Sequence, residues 1–130
     1  MSKRILLIIF LALVLIAIVI TENIFVSNTL DYLKTETYEI NQLIIQENEM
    51  NIEAISEKIE QFSENWSKKE NILCLVINHN DLEKIGEQTE KLKVLVKQNK
   101  KEEAEYESAL LYFFAESYEH IISASFQNIF

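Results

Sequence analysis

A run of sixteen residues near the start of the chain, residues 5–20, contains no polar side chain. A helix over this run is about 24 Å long, and continuing it to residue 26 gives about 33 Å, against a hydrocarbon core of about 30 Å. Lys3, Arg4 and Glu22 can reach the lipid headgroups from the two ends. The run therefore predicts a transmembrane helix over residues 5–26, which constrains where the rest of the chain can lie.

A cleaved signal peptide is the competing interpretation of this run. Its cleavage site needs small residues in an Ala-x-Ala-like arrangement, whereas the run ends with AIVITE at residues 17–22. We therefore expect an uncleaved signal anchor. Lys3 and Arg4 precede the run and acidic residues follow it, so the positive-inside rule predicts a single-pass membrane protein with residues 1–4 in the cytoplasm and residues 27–130 as an extracytoplasmic domain.

The expected outside domain is strongly acidic. The chain has 21 acidic and 12 basic residues, and all except Glu22, Lys3 and Arg4 lie in residues 27–130, which leaves 20 acidic and 10 basic residues and a net charge of about −10. This charge argues against nucleic acid as a partner, because phosphates require a basic surface. It also argues against a basic patch that binds anionic headgroups.

The single cysteine, Cys74, excludes an intrachain disulfide framework. It lies in the apolar stretch ILCLVI, residues 72–77, where the simplest interpretation is a small buried apolar side chain. An intermolecular disulfide outside the cytoplasm is the alternative.

Composition and periodicity together predict an all-α fold. The chain has no proline and one glycine, whereas strands and tight hairpins usually need such residues at their turns. Apolar residues recur at spacings of three and four, which is typical of helices that pack on helices. The predicted core stripes are Leu30, Leu33, Ile40 and Ile44; Ile52, Ile55, Ile59, Phe62, Trp66, Leu73 and Val76; and Leu82, Ile85, Leu92 and Val96.

Asparagines cluster where these stripes break, near residues 48–51, 78–80 and 99. Asparagine caps helix starts and tolerates left-handed conformations at helix ends. We therefore predict helices over about 27–47, 51–77, 81–98 and 101–123, with the first one continuing the transmembrane helix. Short connections make neighbours antiparallel, so the expected architecture is an up-down-up-down four-helix bundle.

The stretch VINHNDLEKI, residues 76–85, admits two interpretations. As a helix corner, it has Asn80 as an N-cap and Glu83 at the capping-box position. As a site, it could bring His79 and Asp81 close to Glu116 and His120, because helices three and four form a hairpin about Asn99. No spacing here matches a zinc signature. We favour the corner, so no metal or cofactor is expected, and a metal site or pH-sensing pair is the alternative.

Four other features of the sequence each have two possible interpretations. Trp66 is a core or interface anchor, and Gly86 indicates a close helix crossing or a hinge. The segment ALLYFFAESY, residues 109–118, is too apolar for one face, so it is fully buried or partly reserved for a partner. The apolar tail residues either pack into the bundle or contact the membrane or a membrane partner; they are Phe126, Ile129 and Phe130.

Signatures of catalysis are missing from the sequence. It contains no G-x-S-x-G, P-loop, H-E-x-x-H or C-x-x-C motif. One glycine cannot build a phosphate-cradling loop, and one cysteine with two histidines leaves few candidates for covalent or metal catalysis. We therefore do not expect an enzyme and infer no small-molecule substrate.

These features together resemble a family of short, single-span helical proteins from clostridia and related spore-forming Firmicutes, known as a domain of unknown function. The resemblance covers nearly the whole chain. It rests on the apolar run, Trp66 followed by two lysines, the stretch 72–77, the corner at residues 78–81, and the sequences EHI and NIF in residues 119–130. The family corner more often reads Asp-His, so Asn78 departs from it and weakens a metal argument there. Members are often encoded beside multi-pass membrane proteins, which implies an accessory role.

Three functions fit the sequence. The first is a membrane-anchored interaction module that binds a multi-pass membrane protein or associates with itself. The second is an extracytoplasmic sensor or ligand-binding domain, with a pocket between helices or the end at His79 and His120 as its switch, although so few residues precede the run that a partner would have to relay the signal. The third is a scaffold with a long coiled coil, which the breaks at three asparagine corners disfavour.

Overall fold

Four α-helices make up the part of the chain that the structure describes, and no strand occurs in it. The computed structural model describes the backbone of residues 2–75 and 77–129 and the side chains of residues 2–75 and 77–120. The helices are α1 (Lys3–Ile45), α2 (Ile52–Leu73), α3 (His79–Lys97) and α4 (Lys101–Ile129). The predicted all-α class is confirmed.

Helix α1 has 43 residues and is the longest element, about 65 Å at the usual rise of 1.5 Å per residue. It runs from the apolar residues 5–20, which we call the apolar segment, into the packed domain. One continuous helix is expected for a stretch without glycine or proline. The hydroxyl groups of three threonines on this helix donate hydrogen bonds to the backbone carbonyls four residues earlier, each at 2.8 Å. Two of them, Thr29 and Thr37, can therefore lie in the buried stripe with the hydroxyl satisfied.

The core forms from one stripe on each helix. Helix α1 packs against α2 and α4, and α3 also packs against α2 and α4; in the described residues the backbones of the two remaining pairs, α1 with α3 and α2 with α4, do not come close to each other. The predicted stripes are buried along nearly all their described length, with Leu30 and Ile52 half-buried at the edge. The largest fully buried side chains are those of Phe62, Leu33, Ile40, Ile44, Ile55, Ile59, Leu73, Leu82, Ile85, Leu92, Leu111 and Val96.

Three polar contacts show the relative direction of α1 and α4. Lys34 Nζ lies 3.2 Å from Glu119 Oε2, Asn41 Nδ2 donates to Ser108 Oγ at 2.8 Å, and Lys101 Nζ donates to the carbonyl of residue 44 at 3.0 Å. Residue numbers rise along α1 as they fall along α4. The two helices therefore run antiparallel, and the later part of α4 lies beside the part of α1 that follows the apolar run.

The helix boundaries differ from the predicted ones at the corner between α2 and α3. Helix α2 ends at Leu73 rather than at residue 77, and α3 begins at His79. The predicted N-cap at Asn80 is wrong, because Asn78 caps α3 and its Oδ1 accepts the backbone N–H of Asn80 at 2.9 Å. Helix α4 extends to Ile129, beyond the predicted residue 123.

The other two breaks lie where the asparagines predicted them. Asn51 caps α2, and its side chain accepts the N–H of Ala54 at 3.2 Å. Asn99 has a positive φ of 55° and turns the chain between α3 and α4. Asparagine tolerates this left-handed conformation better than most residues, which is why a chain with one glycine can still make the turn.

The single glycine does not mark a close helix crossing. Gly86 lies inside α3, and a Cβ atom placed on it would meet no atom of the described residues within 4 Å. The crossing predicted from sequence is therefore wrong, since open space surrounds this position.

Candidate functional site

The corner is the connection between the end of α2 at Leu73 and the start of α3 at His79. The side chain of His79 contacts residues of both helices there. Its Nε2 lies 2.9 Å from Oε1 of Glu83, one turn further along α3, and its Nδ1 lies 3.1 Å from Sγ of Cys74, which caps the end of α2. The three side chains form a series of thiol, imidazole and carboxylate. This series ties the end of α2 to the start of α3.

Sequence analysis missed this arrangement because it treated Cys74 as a buried apolar side chain. Cys74 is half-buried, and its sulfur contacts the imidazole instead of only filling the core. One part of the series was visible in the sequence, because His79 and Glu83 are four residues apart and share one helix face. The contact with Cys74 depends on α2 ending at Leu73, four residues earlier than predicted.

An imidazole between a thiol and a carboxylate is also the order that activates cysteine nucleophiles. Here the side chains of His79 and Glu83 are 61% and 49% exposed, so water competes for both contacts. The series therefore links the ends of α2 and α3 through contacts that water weakens.

The structure does not assemble the metal ligands considered from sequence. Those candidates were His79, Asp81, Glu116 and His120, and in the described part of the chain no three His, Cys, Asp or Glu side chains are grouped so that they could hold a metal ion. His79 instead contacts Glu83 and Cys74.

The inner side of the corner disfavours negative charge. Burial, together with the nearby carboxylates of Asp81 and Glu70, raises the pKa of Tyr118 to about 12. Burial also raises the pKa of Glu70, with His79 opposing this shift and Glu83 adding to it. Both groups hold their protons more tightly than they would in water, because the protein removes water from them more than it supplies partners.

An apolar groove of about 520 Å³ lies between the apolar segment and the corner. We call it the junction groove. Its walls come from α1 and from the end of α2 with the residue after its cap, and they are Val14, Ala17, Ile18, Thr21, Glu22, Phe25, Val26, Ile72, Leu73 and Leu75. Leu75 is 85% exposed and Ile72 is 52% exposed. The groove could not be found from the sequence, because its two walls are about fifty residues apart.

The structure describes the environment of only one of the residues predicted to lie at an interface. Trp66 is 2% exposed, so it is a core residue and has no surface for a partner in this structure. The side chains of Phe126 and Ile129, and all of Phe130, lie outside the described residues, so their role at an interface stays a prediction. In the segment 109–118, Leu111, Ala115 and Tyr118 are buried while Phe113 is exposed, so the segment is only partly buried.

Helix α1 is the one described helix that is long and apolar enough to cross a membrane, judged by length and composition. No residue of its most apolar 18-residue window is buried by the rest of the protein. A signal sequence has the same length and composition, and the core helix of a soluble protein can have them too.

Comparison with known proteins adds a family. No curated protein and no solved structure is similar enough to the chain to count as a match. The model of a domain of unknown function, DUF4363, matches residues 20–129. The match covers all four helices, except for most of the apolar segment of α1. The protein belongs to the DUF4363 family.

Proposed function

We propose that this protein is a single-pass, membrane-anchored accessory module that holds a membrane protein partner outside the cytoplasmic membrane. The observation that carries the proposal is the change in burial along α1. Its apolar window is fully exposed, whereas its later part supplies buried residues from Val26 to Ile44 within the same unbroken helix. Because one continuous helix contains both parts, the orientation of the anchor in the membrane fixes the orientation of this part of the packed domain.

The proposed architecture is an up-down-up-down four-helix bundle that begins on a transmembrane helix. The antiparallel contacts of α1 with α4, and the contacts of each helix with two neighbours, support it. Lys3 and Arg4 before the apolar segment support a cytoplasmic N-terminus. The resemblance to single-span proteins of clostridia agrees with this placement.

The sensor alternative has less support. A switch at His79 and His120 requires the two histidines to act together, whereas His79 contacts Glu83 and Cys74. We also propose that the protein is not an enzyme, because the sequence contains no recognised catalytic motif.

Topology is tested by adding protease to intact protoplasts that express the tagged protein. We expect loss of the acidic domain and survival of a cytoplasmic control protein. Full protection of the domain would overturn the outside location.

Partner binding is tested by crosslinking the full-length protein in native membranes, followed by mild solubilisation and identification of what co-purifies. We expect a stoichiometric membrane protein; recovery of this chain alone would overturn the accessory role. A control variant with an unrelated apolar sequence at residues 5–20 shows which part binds. Retention of the partner by this variant assigns binding to the helical domain, and loss assigns it to the transmembrane helix.

A further inference from the structure

The junction groove places the corner between α2 and α3 beside the apolar segment rather than above it. Residues 5–24 of α1 span about 30 Å, the thickness of a hydrocarbon core. Val14 and Ile18 then lie about 15 Å and 9 Å below residue 24 along the helix axis. Leu75 and Ile72 line the same groove as these two residues, so the corner lies beside the outer part of the proposed transmembrane helix.

The corner has the chemistry that such a depth requires. Residues 71–80 contain no aspartate, glutamate, lysine or arginine, although a quarter of the whole chain is charged. Charges resume at Glu70 and Asp81, on either side of this stretch. Because charged side chains are costly in hydrocarbon, the apolar residues at the centre of this stretch, Ile72 to Leu75, can approach the acyl-chain region without bringing a charge with them.

Three backbone amides at the end of α2 are hydrogen-bonded within the protein, which lowers the cost of a dry environment there. An unsatisfied backbone group in hydrocarbon is costly, which normally excludes irregular loops from a membrane. Here the N–H of Cys74 donates to the carbonyl of Glu70 at 2.9 Å, that of Leu75 to Ile72 at 3.2 Å, and that of Ile77 to Leu73 at 2.8 Å. These amides therefore need no water.

The groove walls favour lipid over a protein helix. Transmembrane helices pack closely where small residues line the contact. The junction groove has Ala17, Thr21 and Glu22 on one side, but its other lining residues are mainly large side chains of valine, isoleucine, leucine and phenylalanine. Flexible acyl chains can fill such a surface, and they would cover the exposed side chains of Ile72 and Leu75 together with the exposed face of α1.

We propose that the α2–α3 corner is a second membrane attachment, in which Ile72 and Leu75 insert among the acyl chains of the outer leaflet beside α1 and lipid chains fill the junction groove. This inference rests on the proposed transmembrane anchor. Its consequence is that the acidic domain sits directly on the bilayer in one orientation, instead of standing on a free stalk.

The test uses the full-length protein with Cys74→Ser as background and one new cysteine for each variant. The variants are Leu75→Cys in the corner, Val14→Cys in the apolar segment and Asn48→Cys at the opposite end of the domain. Each cysteine is labelled with an environment-sensitive fluorophore, and the protein is reconstituted into phosphatidylcholine vesicles with and without brominated acyl chains. Because Leu75 is exposed, its label leaves the core intact, and circular dichroism checks each variant.

We expect a blue shift and loss of emission with brominated chains at positions 75 and 14, and neither change at position 48. Quenching at position 14 without quenching at position 75 would overturn the second attachment and leave the anchor standing. Absence of quenching at position 14 would overturn the anchor and with it this inference. Protection of position 75 in native membranes, with crosslinking there to another protein, would overturn lipid as the occupant of the groove.

Discussion

Tyr118 shows how a single residue limits the stability of the core. The side chain is buried, and its hydroxyl has no hydrogen-bond partner among the described residues. A buried hydroxyl without a partner loses its hydration and gains nothing in return. The ring itself packs in the core between α4 and the α2–α3 corner, so the unfavourable contribution comes from one atom.

The change Tyr118→Phe removes this atom and keeps the ring. We expect the free energy of unfolding to stay the same or to rise by up to about 1 kcal/mol, because the cost of the unpaired hydroxyl disappears. Urea unfolding in a mild detergent measures it. Tyr106→Phe, at an exposed position of the same helix, is the matched control and should change nothing. A loss of stability at position 118 would mean that the hydroxyl has a partner.

The same residue predicts a pH dependence. Its pKa in the folded protein is about 12, above the ordinary value of 10.0. The folded state therefore holds this proton more tightly than the unfolded state, so stability is lost as the pH rises from 10.0 towards 12. Tyr32 and Tyr112 also have raised pKa values and contribute to the loss. We expect a shallower loss in Tyr118→Phe than in the wild type when unfolding is measured across this range; identical slopes would contradict the assignment.

A buried polar network between α3 and α4 carries the third prediction. Glu107 is 8% exposed and accepts hydrogen bonds from Gln88 Nε2 and from Lys91 Nζ, the latter at 2.9 Å. These two donors lower the pKa of Glu107. Its contribution to stability is therefore present near neutral pH and is lost as the pH falls through the lowered pKa.

Gln88→Leu should destabilise the fold by about 1–3 kcal/mol, because it leaves part of a buried carboxylate without a donor. The double variant with Glu107→Leu should recover part of this loss, since both side chains are then apolar. The backbone carbonyl of residue 107, to which Gln88 Nε2 also donates at 3.0 Å, still loses this donor. A double-mutant cycle measured by urea unfolding gives the coupling. Additive losses in the cycle would show that the two side chains do not depend on each other.

At the scale of the helices, the single glycine lowers the stability of α3. Gly86 has helical geometry, and no described atom lies within 4 Å of the position that a Cβ would occupy. Gly86→Ala should therefore raise the free energy of unfolding by about 0.5–1 kcal/mol, through a smaller entropy loss on folding. Lys84→Ala, at an exposed position of α3, is the control and should change little because lysine and alanine have similar helix propensities.

Loss of stability in Gly86→Ala would instead show that the position needs to bend or to approach another element. Such a result would restore the hinge considered from sequence. Melting followed by circular dichroism is sufficient to distinguish the two outcomes.

Helix ends were less predictable than helices. The stripes from Leu33 to Ile44 and from Leu82 to Val96 predicted buried faces that the structure confirms, because periodicity averages over many residues. The start of α3 depended on which of two asparagines, two residues apart, acts as the N-cap. Asn78 and Asn80 have the same side chain, so propensity alone could not choose between them, and the corner that holds Cys74 followed from that choice.

At the scale of the whole molecule, the apolar segment contributes nothing to the packed core. No residue of its most apolar window is buried. Removal of residues 1–20 should therefore leave the helix content of the remaining residues and their thermal midpoint nearly unchanged, and should give a domain soluble without detergent. Circular dichroism and gel filtration measure both. Unfolding or aggregation of the truncated chain would indicate that the segment packs on the domain as a core helix does.

The sequence by itself determined the all-α class, the stripes that become the core, the unbroken course of α1 and the acidic character of the domain. These properties depend on residues near one another in the chain or on composition. Only the tertiary structure decided the contact of Cys74 with His79, the burial of Trp66 without a free surface, and the junction groove between Val14 and Leu75. These features bring together helices whose register depends on where each corner begins, and a shift of two residues at a corner changes which side chains meet.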